Sequence, residues 1–413
     1  MHILIVTPAF SPFTGGGERH TSALARHLVD RGQKVTVLTS SALQEPDFLQ
    51  GCGQDVVVEG VGSDMTIIRM PIRPMPGGFR GLLAWRKGMV MLSPLPGTRA
   101  ALQHMAQRVP GLLKVDEAFA SVEGPVDIAH GFNISWEYAM LAAWNYAHQN
   151  GVPYIATPYA HLGTGPRDPV ALNSTMRHQR HMLSTADMLL TLTAVEARGL
   201  QERGVHPPKV KVSGSGVDIP QTVAAPPEEG ASLRPYVLFV GRMSYDKGAI
   251  HAAQAVLRLR EQGSRIQLLL IGLETDEFGR FYKGLPASEQ LGIHVLGFVD
   301  ESIKHAYLMD AEALLLPSRT DSFGIVLLES WHHGRPVIGA DAGGIPGVVD
   351  DGQNGILVPF GDIPALSEAI KLLTENQQLS RELGENGRQK LIANYTWEAV
   401  TNNVLDAYRE VVD

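Results

Sequence analysis

The strongest constraint on the fold is an alternation of strand-like and helix-like segments that the chain runs through twice. At the N-terminus, the apolar run HILIVTPAF is followed by a glycine-rich loop, then by ERHTSALARHLVDRG with apolar spacing of helical period, and then by KVTVLT. Two strands joined through a helix are parallel, and the crossover is right-handed. The first half therefore predicts a doubly wound α/β domain with its strands buried on both faces.

The same alternation restarts at YVLFVGRMSYDKGAIHAAQAVLRL. Between the two halves lies the segment 217–235, which is rich in proline, alanine and glutamate and has no periodicity, as expected of a linker. We therefore predict an N-terminal Rossmann-like domain over 1–216, a linker over 217–235 and a C-terminal Rossmann-like domain over 236–395. Further strands are predicted at VDIAH, PYIAT, MLLTLT and KVKVSG in the first half, and at IQLLLIG, IHVLGFV, ALLLPS, PVIGA and GILVP in the second.

Length and composition agree with two globular domains. The 413 residues are 44% hydrophobic and 19% charged, and the net charge of −8 argues against general binding of nucleic acid. We find no run of the ~20 apolar residues that a membrane-spanning helix needs, and MHILIVTPAF lacks the basic region of a signal peptide, so we expect a cytoplasmic protein. The single cysteine, Cys52, excludes an internal disulfide and a cysteine-based metal cluster.

One segment is strongly basic. Residues 65–115 contain no Asp or Glu, but they contain several cations: Arg69, Arg73, Arg80, Arg86, Lys87, Arg99, Arg108 and Lys114. With Trp85 and several leucines and methionines among them, these residues could form a peripheral contact with the anionic inner face of the plasma membrane. The alternative is an ordinary solvated helical face with a loop.

Two doubly wound domains create a cleft between the carboxyl ends of their sheets, where ligands of such folds bind. In the first loop of this kind, Gly15, Gly16 and Gly17 precede a helix, but the spacing fits neither the dinucleotide fingerprint nor the P-loop. This argues against a dehydrogenase. The glycines can let an anion approach the helix N-terminus closely, or they can simply form a tight turn.

The corresponding loop of the second domain carries two cations. In VGRMSYDKGAI, Arg242 follows a strand and Lys247 precedes a helix. Both side chains and the free amides of the loop should face the cleft at the position of a diphosphate.

A third loop lies within PSRTDSFGIVLLES. Asp321 or Ser322 can cap a helix that begins near Phe323, and Glu329, about two turns along, can accept hydrogen bonds from the two hydroxyls of a ribose. Acidic residues near a helix start can also be mere partners of the helix dipole. The amides at this helix start would be those of Phe323, Gly324 and Ile325.

These motifs together closely resemble the retaining glycosyltransferases of family 4, which have the GT-B fold of two Rossmann-like domains facing each other across a cleft. The resemblance covers nearly the whole chain, through GGGERHTSALARHLVDRGQKVTVLT, GRMSYDKG, PSRTDSFGIVLLES, GRPVIGADAGGIPGVVDDGQNGILVPFGD and YTWEAVTNNVLDAY. It implies that a C-terminal helix, about 396–413, packs back on the first domain.

The resemblance also implies roles for individual residues. Arg242 and Lys247 match the cations that hold the donor's diphosphate, while Asp321 and Glu329 match the two acids of the E-x7-E signature, facing the donor sugar and the ribose. The backbone near Val299 matches the nucleobase site. The remaining matches are the amides around the sugar and phosphate, at Phe323, Gly324 and Ile325, and the N-terminal loop that closes over them, at Gly16 and Gly17.

A histidine is expected in the catalytic pocket. His161, in TPYAHLG, is the candidate, although many relatives place this histidine directly after the proline, where this chain has Tyr159. His130, at the end of VDIAH, is an alternative, and a core or surface role for His161 is another.

Two positions depart from the family pattern, and both concern acids. Asp321 stands where Glu is usual, and Gly347 stands where Glu is common.

We expect neither a metal nor a cofactor. His178 and His181 have helical spacing without a third ligand, so a solvated face is favoured over a zinc site.

The predicted function is transfer of a hexosyl-type sugar, with retention, from a UDP- or GDP-sugar to a hydroxyl of a glycan, lipid-linked or small-molecule acceptor in polysaccharide or glycoconjugate biosynthesis. The alternatives are a nucleotide-sugar epimerase and a non-catalytic protein that binds sugar nucleotides.

Overall fold

The computed structural model of the chain describes residues 1–13, 15–165, 168–220, 222–223 and 232–412. Most of the predicted linker, residues 221 and 224–231, lies outside the described residues. The described residues form two compact units, each discussed by itself. The first unit takes the described residues of 1–160, 166–215 and 397–413, and the second takes those of 161–165 and 216–396.

Eight strands form one sheet in the described part of the first unit, in the order β3-β4-β2-β1-β5-β6-β7-β8. All neighbours pair in parallel except β3 and β4. The strands are β1 (His2–Val6), β2 (Lys34–Ser40), β3 (Val57–Val61), β4 (Met65–Met70), β5 (Ile128–Phe132), β6 (Tyr154–Thr157), β7 (Met188–Thr191) and β8 (Val210–Val212).

The antiparallel β3–β4 hairpin is the element that the sequence patterns did not predict. Its outer strand, VVEGV, leaves Val57, Val58 and Val61 about half exposed, so it lacks the buried apolar run that marks the other strands. An edge strand needs only one paired neighbour and no covered faces, which explains its weak signal.

The helices of the first unit cover both faces of this sheet, as a doubly wound fold requires. The last helix of the chain belongs to this unit: its Trp397 ring stacks on His27 with centroids 5.3 Å apart, and Tyr408 Oη lies 2.7 Å from His130 Nδ1. The helices are α1 (Gly16–Asp30), α2 (Asp47–Gln50), α3 (Gly78–Leu92), α4 (Arg99–Ala106), α5 (Val115–Ala120), α6 (Tyr138–Asn150), α7 (Pro169–Leu172), α8 (Arg177–Ser184), α9 (Ala194–Glu202) and, numbered last in chain order, α17 (Trp397–Val412).

The described part of the second unit holds a sheet of six parallel strands, in the order β11-β10-β9-β12-β13-β14. The strands are β9 (Tyr236–Val240), β10 (Gln267–Ile271), β11 (Ile293–Gly297), β12 (Leu314–Leu316), β13 (Val337–Ala340) and β14 (Ile356–Val358). The helices are α10 (Ala249–Glu261), α11 (Asp276–Lys283), α12 (Ala287–Gln290), α13 (Glu301–Asp310), α14 (Ile325–His332), α15 (Ile363–Glu375) and α16 (Gln377–Asn394).

The prediction of an α/β protein with two doubly wound parallel sheets is confirmed. In each sheet, successive strands are added first toward one edge and then toward the other. This switch point lies between β1 and β5 in the first unit and between β9 and β12 in the second. Loops that leave the carboxyl ends of such strands diverge and leave a crevice where ligands bind. The loops after β1, β9 and β12 are therefore the first places to look for a site.

None of the described helices is both long and apolar enough to pass through a bilayer.

Candidate active site

A salt bridge joins the two loops at the switch point of the second sheet. Lys247 lies in the loop after β9 and Asp321 in the loop after β12, and Lys247 Nζ donates to Asp321 Oδ1 over 2.8 Å. Both side chains are partly buried, with 23% and 17% of their surface exposed. The fold thus brings together two residues that are 74 positions apart in the sequence.

Glycines let these two loops touch along their backbones. Gly248 has φ +80°, and a Cβ on it would lie 2.1 Å from the carbonyl oxygen of Pro317. On the other side, the amide of Gly344 donates to the carbonyl of Asp321 over 2.7 Å, and a Cβ on Gly344 would lie 1.9 Å from the Ser322 carbonyl. The glycine pair after β13, to which sequence reasoning gave no role, therefore supports the backbone of Asp321.

Polar atoms at this site remain without partners. Among the described residues, Asp321 Oδ2 and His161 Nδ1 are buried and have no hydrogen-bond partner. A buried polar atom without a partner needs an explanation in a native structure, and a bound ligand is one such explanation. His161 was expected on the N-terminal side, but the five residues 161–165 group with the second unit, where the Gly343 amide donates to the Gly163 carbonyl over 2.9 Å.

The charges at the site are settled by burial and by Lys247. Burial lowers the pKa of His161 to about 4, with a further decrease from the charge of Lys247, so its imidazole is neutral near pH 7. Burial alone would raise the pKa of Asp321, but the Lys247 ammonium outweighs it and lowers that pKa on balance. The pair is therefore a carboxylate and an ammonium beside a neutral imidazole.

The helix after this loop begins later than predicted. We expected a start near Phe323 with Asp321 or Ser322 as the cap; instead α14 begins at Ile325 with Gly324 as the N-cap, and no side chain caps it. The reason is that the Asp321 carboxylate pairs with Lys247. Gly324 has φ +85°, and a Cβ there would lie 2.7 Å from Leu316 Cδ2, so glycine is required.

Of the three residues assigned to the sugar and phosphate, Phe323 has its ring in the core, 2% exposed and 5.4 Å from the Tyr395 ring. Only its backbone can serve a ligand. The amides of Gly324 and Ile325 stand at the first turn of α14, where they have no intrahelical acceptor.

Glu329 is not a free acceptor. Lys304 Nζ lies 2.9 Å from one carboxylate oxygen of Glu329 and 2.8 Å from the other, and it also lies 2.6 Å from Glu301. Glu301, His305 and Glu329 are close enough to one another to hold a metal ion, but the Lys304 ammonium contacts both carboxylates and offsets one of their two charges. A ribose that binds Glu329 must share it with Lys304, which sequence reasoning missed.

Val299 follows β11, just before α13, and is partly buried. Its neighbour Phe298 is 76% exposed, and Leu273, in the loop after the adjacent strand β10, is 46% exposed. These two apolar residues and Lys247 all follow the carboxyl ends of strands in the second sheet. Both were missed, because a single exposed apolar residue carries no pattern in a sequence.

In the first unit, the three glycines at the start of α1 differ in their surroundings: Gly15 is the N-cap, and Gly16 and Gly17 are the first two helical residues. A Cβ on Gly16 would meet nothing within 4 Å, whereas one on Gly17 would lie 3.0 Å from the Tyr159 ring and one on Gly15 would lie 2.1 Å from Glu18 Oε2. Of the three, only Gly16, the first residue of α1, has no neighbouring side chain that would require a glycine there. The Glu18 carboxylate occupies this helix end, and burial raises its pKa.

Tyr159, which stands where relatives often have the histidine, is held in an unusual conformation. Its φ is +49°, which is strained for a tyrosine, and its buried hydroxyl lies 2.9 Å from Thr21 Oγ1. Strain of this kind clusters at functional sites. Tyr159 therefore joins Gly16 and Gly17 as a residue of interest at the first switch point.

Two interpretations of histidines are wrong. His130 cannot be a catalytic alternative, because it is fully buried and both ring nitrogens are engaged, with Tyr408 Oη at 2.7 Å and Thr157 Oγ1 at 2.8 Å. His178 does not lie on a solvated face: it is 2% exposed, and its Nε2 lies 3.1 Å from a carboxylate oxygen of Glu137. His181, on the same helix, does face outward, beside Arg99.

The basic segment 65–115 is not one continuous face. Arg69 lies in β4 and pairs with Glu59, Arg86 is directed at the buried Glu137, and Lys114 pairs with Asp55. Acids from outside the segment thus neutralise three of its cations. Membrane contact through this segment stays a prediction.

Comparison with known proteins agrees with these observations. Residues 15–216 match the family model described as "Glycosyl transferase 4-like domain", and residues 226–390 match "Glycosyl transferases group 1". The chain is 26% identical to alpha-D-kanosaminyltransferase of Streptomyces kanamyceticus, covering 94% of this chain and 98% of that protein. It is 25% identical to glycogen synthase of Mycobacterium tuberculosis, covering 99% and 94%.

Solved structures share the fold over the full length. Sucrose-phosphate synthase from Thermosynechococcus elongatus superposes with a TM-score of 0.71 at 22% identity, covering 99% of this chain and 98% of that one. Anabaena HepE in complex with UDP-glucose gives a TM-score of 0.69 at 17% identity, covering 99% and 100%.

Two doubly wound sheets of largely parallel strands are the architecture of the GT-B glycosyltransferases. The family models cover most of the chain in the same order as the two halves, and the resemblance to family 4 is confirmed. The chain belongs to these glycosyltransferases, the group 1 and 4-like families, and acts in the synthesis of glycans or glycoconjugates. The comparisons give no support to an epimerase or to a non-catalytic binding protein.

Proposed function

We propose that this enzyme transfers a hexosyl group, with retention of the anomeric configuration, from a UDP- or GDP-sugar to a hydroxyl of a glycan, lipid-linked or small-molecule acceptor. The observation that carries the proposal is the group formed by Lys247, Asp321 and His161 at the switch point of the second sheet. It combines a cation for a diphosphate with an unpaired carboxylate oxygen and an unpaired imidazole nitrogen for sugar hydroxyls.

The diphosphate of the donor suits the cations of the loop after β9. The Lys247 ammonium has three donors and gives one to Asp321, so two remain for phosphate oxygens. Arg242 is exposed in the same loop, and its charge is close enough to lower the pKa of His161. The amides of Gly324 and Ile325 add the positive end of the α14 dipole.

The nucleoside would lie along the carboxyl ends of β10 and β11. The exposed ring of Phe298 and the side chain of Leu273 offer an apolar surface to a base, and the backbone of Val299 offers polar groups to its edge. Glu329, held by Lys304, would accept from the ribose hydroxyls. A nucleotide donor is also supported by HepE, whose structures were solved with UDP and with UDP-glucose.

Retention follows if the acceptor attacks from the face that the diphosphate leaves. The bond from the anomeric carbon to the diphosphate oxygen breaks, the bond to the acceptor oxygen forms on the same face, and the acceptor's proton passes to the departing phosphate oxygen. Lys247, Arg242 and the α14 amides would stabilise the negative charge that develops on that oxygen. Asp321 and the neutral His161 would orient the sugar, and the proposal requires no metal ion.

The test is an assay of the full chain with UDP-, GDP- and ADP-sugars and a panel of hydroxyl acceptors, with nucleoside diphosphate release and product both measured. We expect one donor to support transfer, with the anomeric configuration retained by NMR and with activity unchanged by EDTA. Lys247→Ala should lower transfer about 100- to 1000-fold, and Lys283→Ala, which removes an exposed lysine at the end of α11, should not. Transfer with inversion would contradict the mechanism, and equal activity of the two variants would contradict the site.

A further inference from the structure

Two neighbouring cavities in the first unit share a pair of arginines. The larger, about 500 Å³, is lined by Gly97, Arg99, Ala100, Arg177, Arg180 and His181. The smaller, about 350 Å³, is lined by Val90, Ser93, Pro94, Leu172, Thr175 and Met176 together with Arg177 and Arg180. A basic cavity thus lies beside a more apolar one.

The arginines of this cavity have no acidic partner among the described residues. Arg177 donates to the carbonyls of Ser93 and Pro94 over 3.1 and 3.2 Å, and Arg180 donates to the carbonyl of Thr175 over 2.8 Å. Arg99 Nη1 lies 3.3 Å from the His181 ring. Each guanidinium has five N–H donors, so most of them remain available in the cavity.

The local sequence explains why these charges stay uncompensated. On α8, Arg177, Arg180 and His181 follow i, i+3, i+4 spacing and share one face, whereas His178 and Gln179 turn inward to Glu137. Glu137 is already neutralised by Arg86 over 3.0 Å. Arg99, the first residue of α4, comes from the segment 65–115, which supplies no acid.

Gathering these cations around one cavity is unfavourable when no acid among the described residues pairs with them. Burial and the nearby charge of Arg177 lower the pKa of Arg180, and burial and the charge of Arg99 lower the pKa of His181. Surface arginines usually pair with a carboxylate or are solvated. Arg99, Arg177 and Arg180 instead line one cavity without a carboxylate, and their planar guanidinium groups can each bind a phosphate through two hydrogen bonds.

We propose that this cavity binds a phosphate or diphosphate group, with Arg99, Arg177 and Arg180 as its ligands, and that the smaller chamber takes the less polar part of the molecule attached to it. The site is built entirely from the first unit and stands independently of the proposed donor site. The same chemistry could be presented by a small phosphorylated molecule or by the headgroup of a lipid, and the experiment separates the two.

Calorimetry on the full chain would use inorganic phosphate and pyrophosphate, and co-sedimentation would use phosphatidylcholine vesicles with and without phosphatidylglycerol. The test variants are Arg99→Gln, Arg180→Gln and the double variant. Arg80→Gln, which removes an exposed arginine of the same unit outside the cavity, is the matched control. Thermal unfolding of each variant checks that the fold is retained.

We expect pyrophosphate affinity to fall at least about tenfold in each single variant and further in the double variant, since each loses hydrogen bonds to a charged group. Arg80→Gln should bind as the wild type does. Lys247→Ala should retain this binding event, which distinguishes it from binding at the donor site. Binding of soluble phosphates supports a small-molecule ligand, and binding only to phosphatidylglycerol vesicles, lost in the double variant, supports a headgroup. Unchanged binding in the double variant, an equal loss in Arg80→Gln, or no binding of either probe would overturn the proposal.

Discussion

Each unit of the molecule holds a carboxylate beside a cation, and the two carboxylates differ in how many of their oxygens have a partner. In the first unit, Glu137 is 1% exposed and has three polar neighbours: Arg86 at 3.0 Å, His178 at 3.1 Å and the amide of Gln179. In the second unit, Asp321 has one ionic partner, Lys247, and one buried oxygen without a hydrogen bond.

The difference separates a structural carboxylate from a functional one. Burial would raise the pKa of Glu137, but Arg86 and His178 outweigh it, so the group is ionised. Both of its carboxylate oxygens have a partner within the protein. At Asp321 and His161 the protein leaves polar atoms unpaired, at a cost that a substrate can offset when it binds.

The difference between the two carboxylates is tested most directly by the free energy of unfolding of their variants. Glu137→Gln leaves Arg86 buried opposite a neutral group, so we expect the free energy of unfolding to fall by about 3–5 kcal/mol. Asp321→Asn leaves only a partly exposed lysine and should cost about 1 kcal/mol or less. Urea unfolding measures both, with the exposed Glu117→Gln as the control. Equal costs for Glu137→Gln and Asp321→Asn would show that the two carboxylates do not differ in kind.

Catalytic activity should instead depend on the site around Asp321, which includes Lys247. Lys247→Ala removes charge that would stabilise the leaving diphosphate, so we expect kcat/KM to fall about 100- to 1000-fold, as for the loss of one such contact elsewhere. The fold should be unaffected, because the side chain is partly exposed. Steady-state kinetics with the donor that supports transfer in the assay of UDP-, GDP- and ADP-sugars measures this. A loss below fivefold would remove Lys247 from the site.

Gly16 and Gly17 allow the effects on stability and on activity to be separated at two neighbouring positions. A Cβ at position 16 would have no atom of another element within 4 Å, so Gly16→Ala should leave stability unchanged or raise it by at most about 1 kcal/mol. If the donor approaches this backbone, activity should nevertheless fall about tenfold or more. Gly17→Ala meets the Tyr159 ring and should lower stability as well as activity. Full activity in Gly16→Ala would make the glycines a simple turn.

The smallest expected effect concerns pH. Because burial lowers the pKa of His161 to about 4, its imidazole should stay neutral from about pH 5.5 upward. His161→Asn should therefore lower kcat/KM without changing the shape of its pH profile between about pH 5.5 and 8. Loss of an ionisation near pH 6.5 in the variant would show that His161 titrates in the working range.

The sequence predicted the parts of this molecule that follow from periodicity and strand ends. Both parallel sheets came from buried apolar runs, and the loop of Lys247 came from its position between a strand and a helix. The hairpin β3–β4 was missed because its outer strand is exposed. Lys304 was missed because its partner, Glu329, lies on another helix, and the cap of α14 was mistaken because Asp321 pairs across 74 positions rather than with its own helix. Long-range pairing of this kind leaves no local pattern.

The central claim is that the loops of the second sheet bind a nucleoside diphosphate. Calorimetric titration of the wild type, Lys247→Ala and Glu329→Ala with UDP, GDP and ADP tests it most directly. We expect one nucleotide to bind the wild type, and both variants to lose that binding by about tenfold or more, since each loses a hydrogen bond to a charged group. Binding of none of the three nucleotides, or equal binding by all three proteins, would contradict the claim.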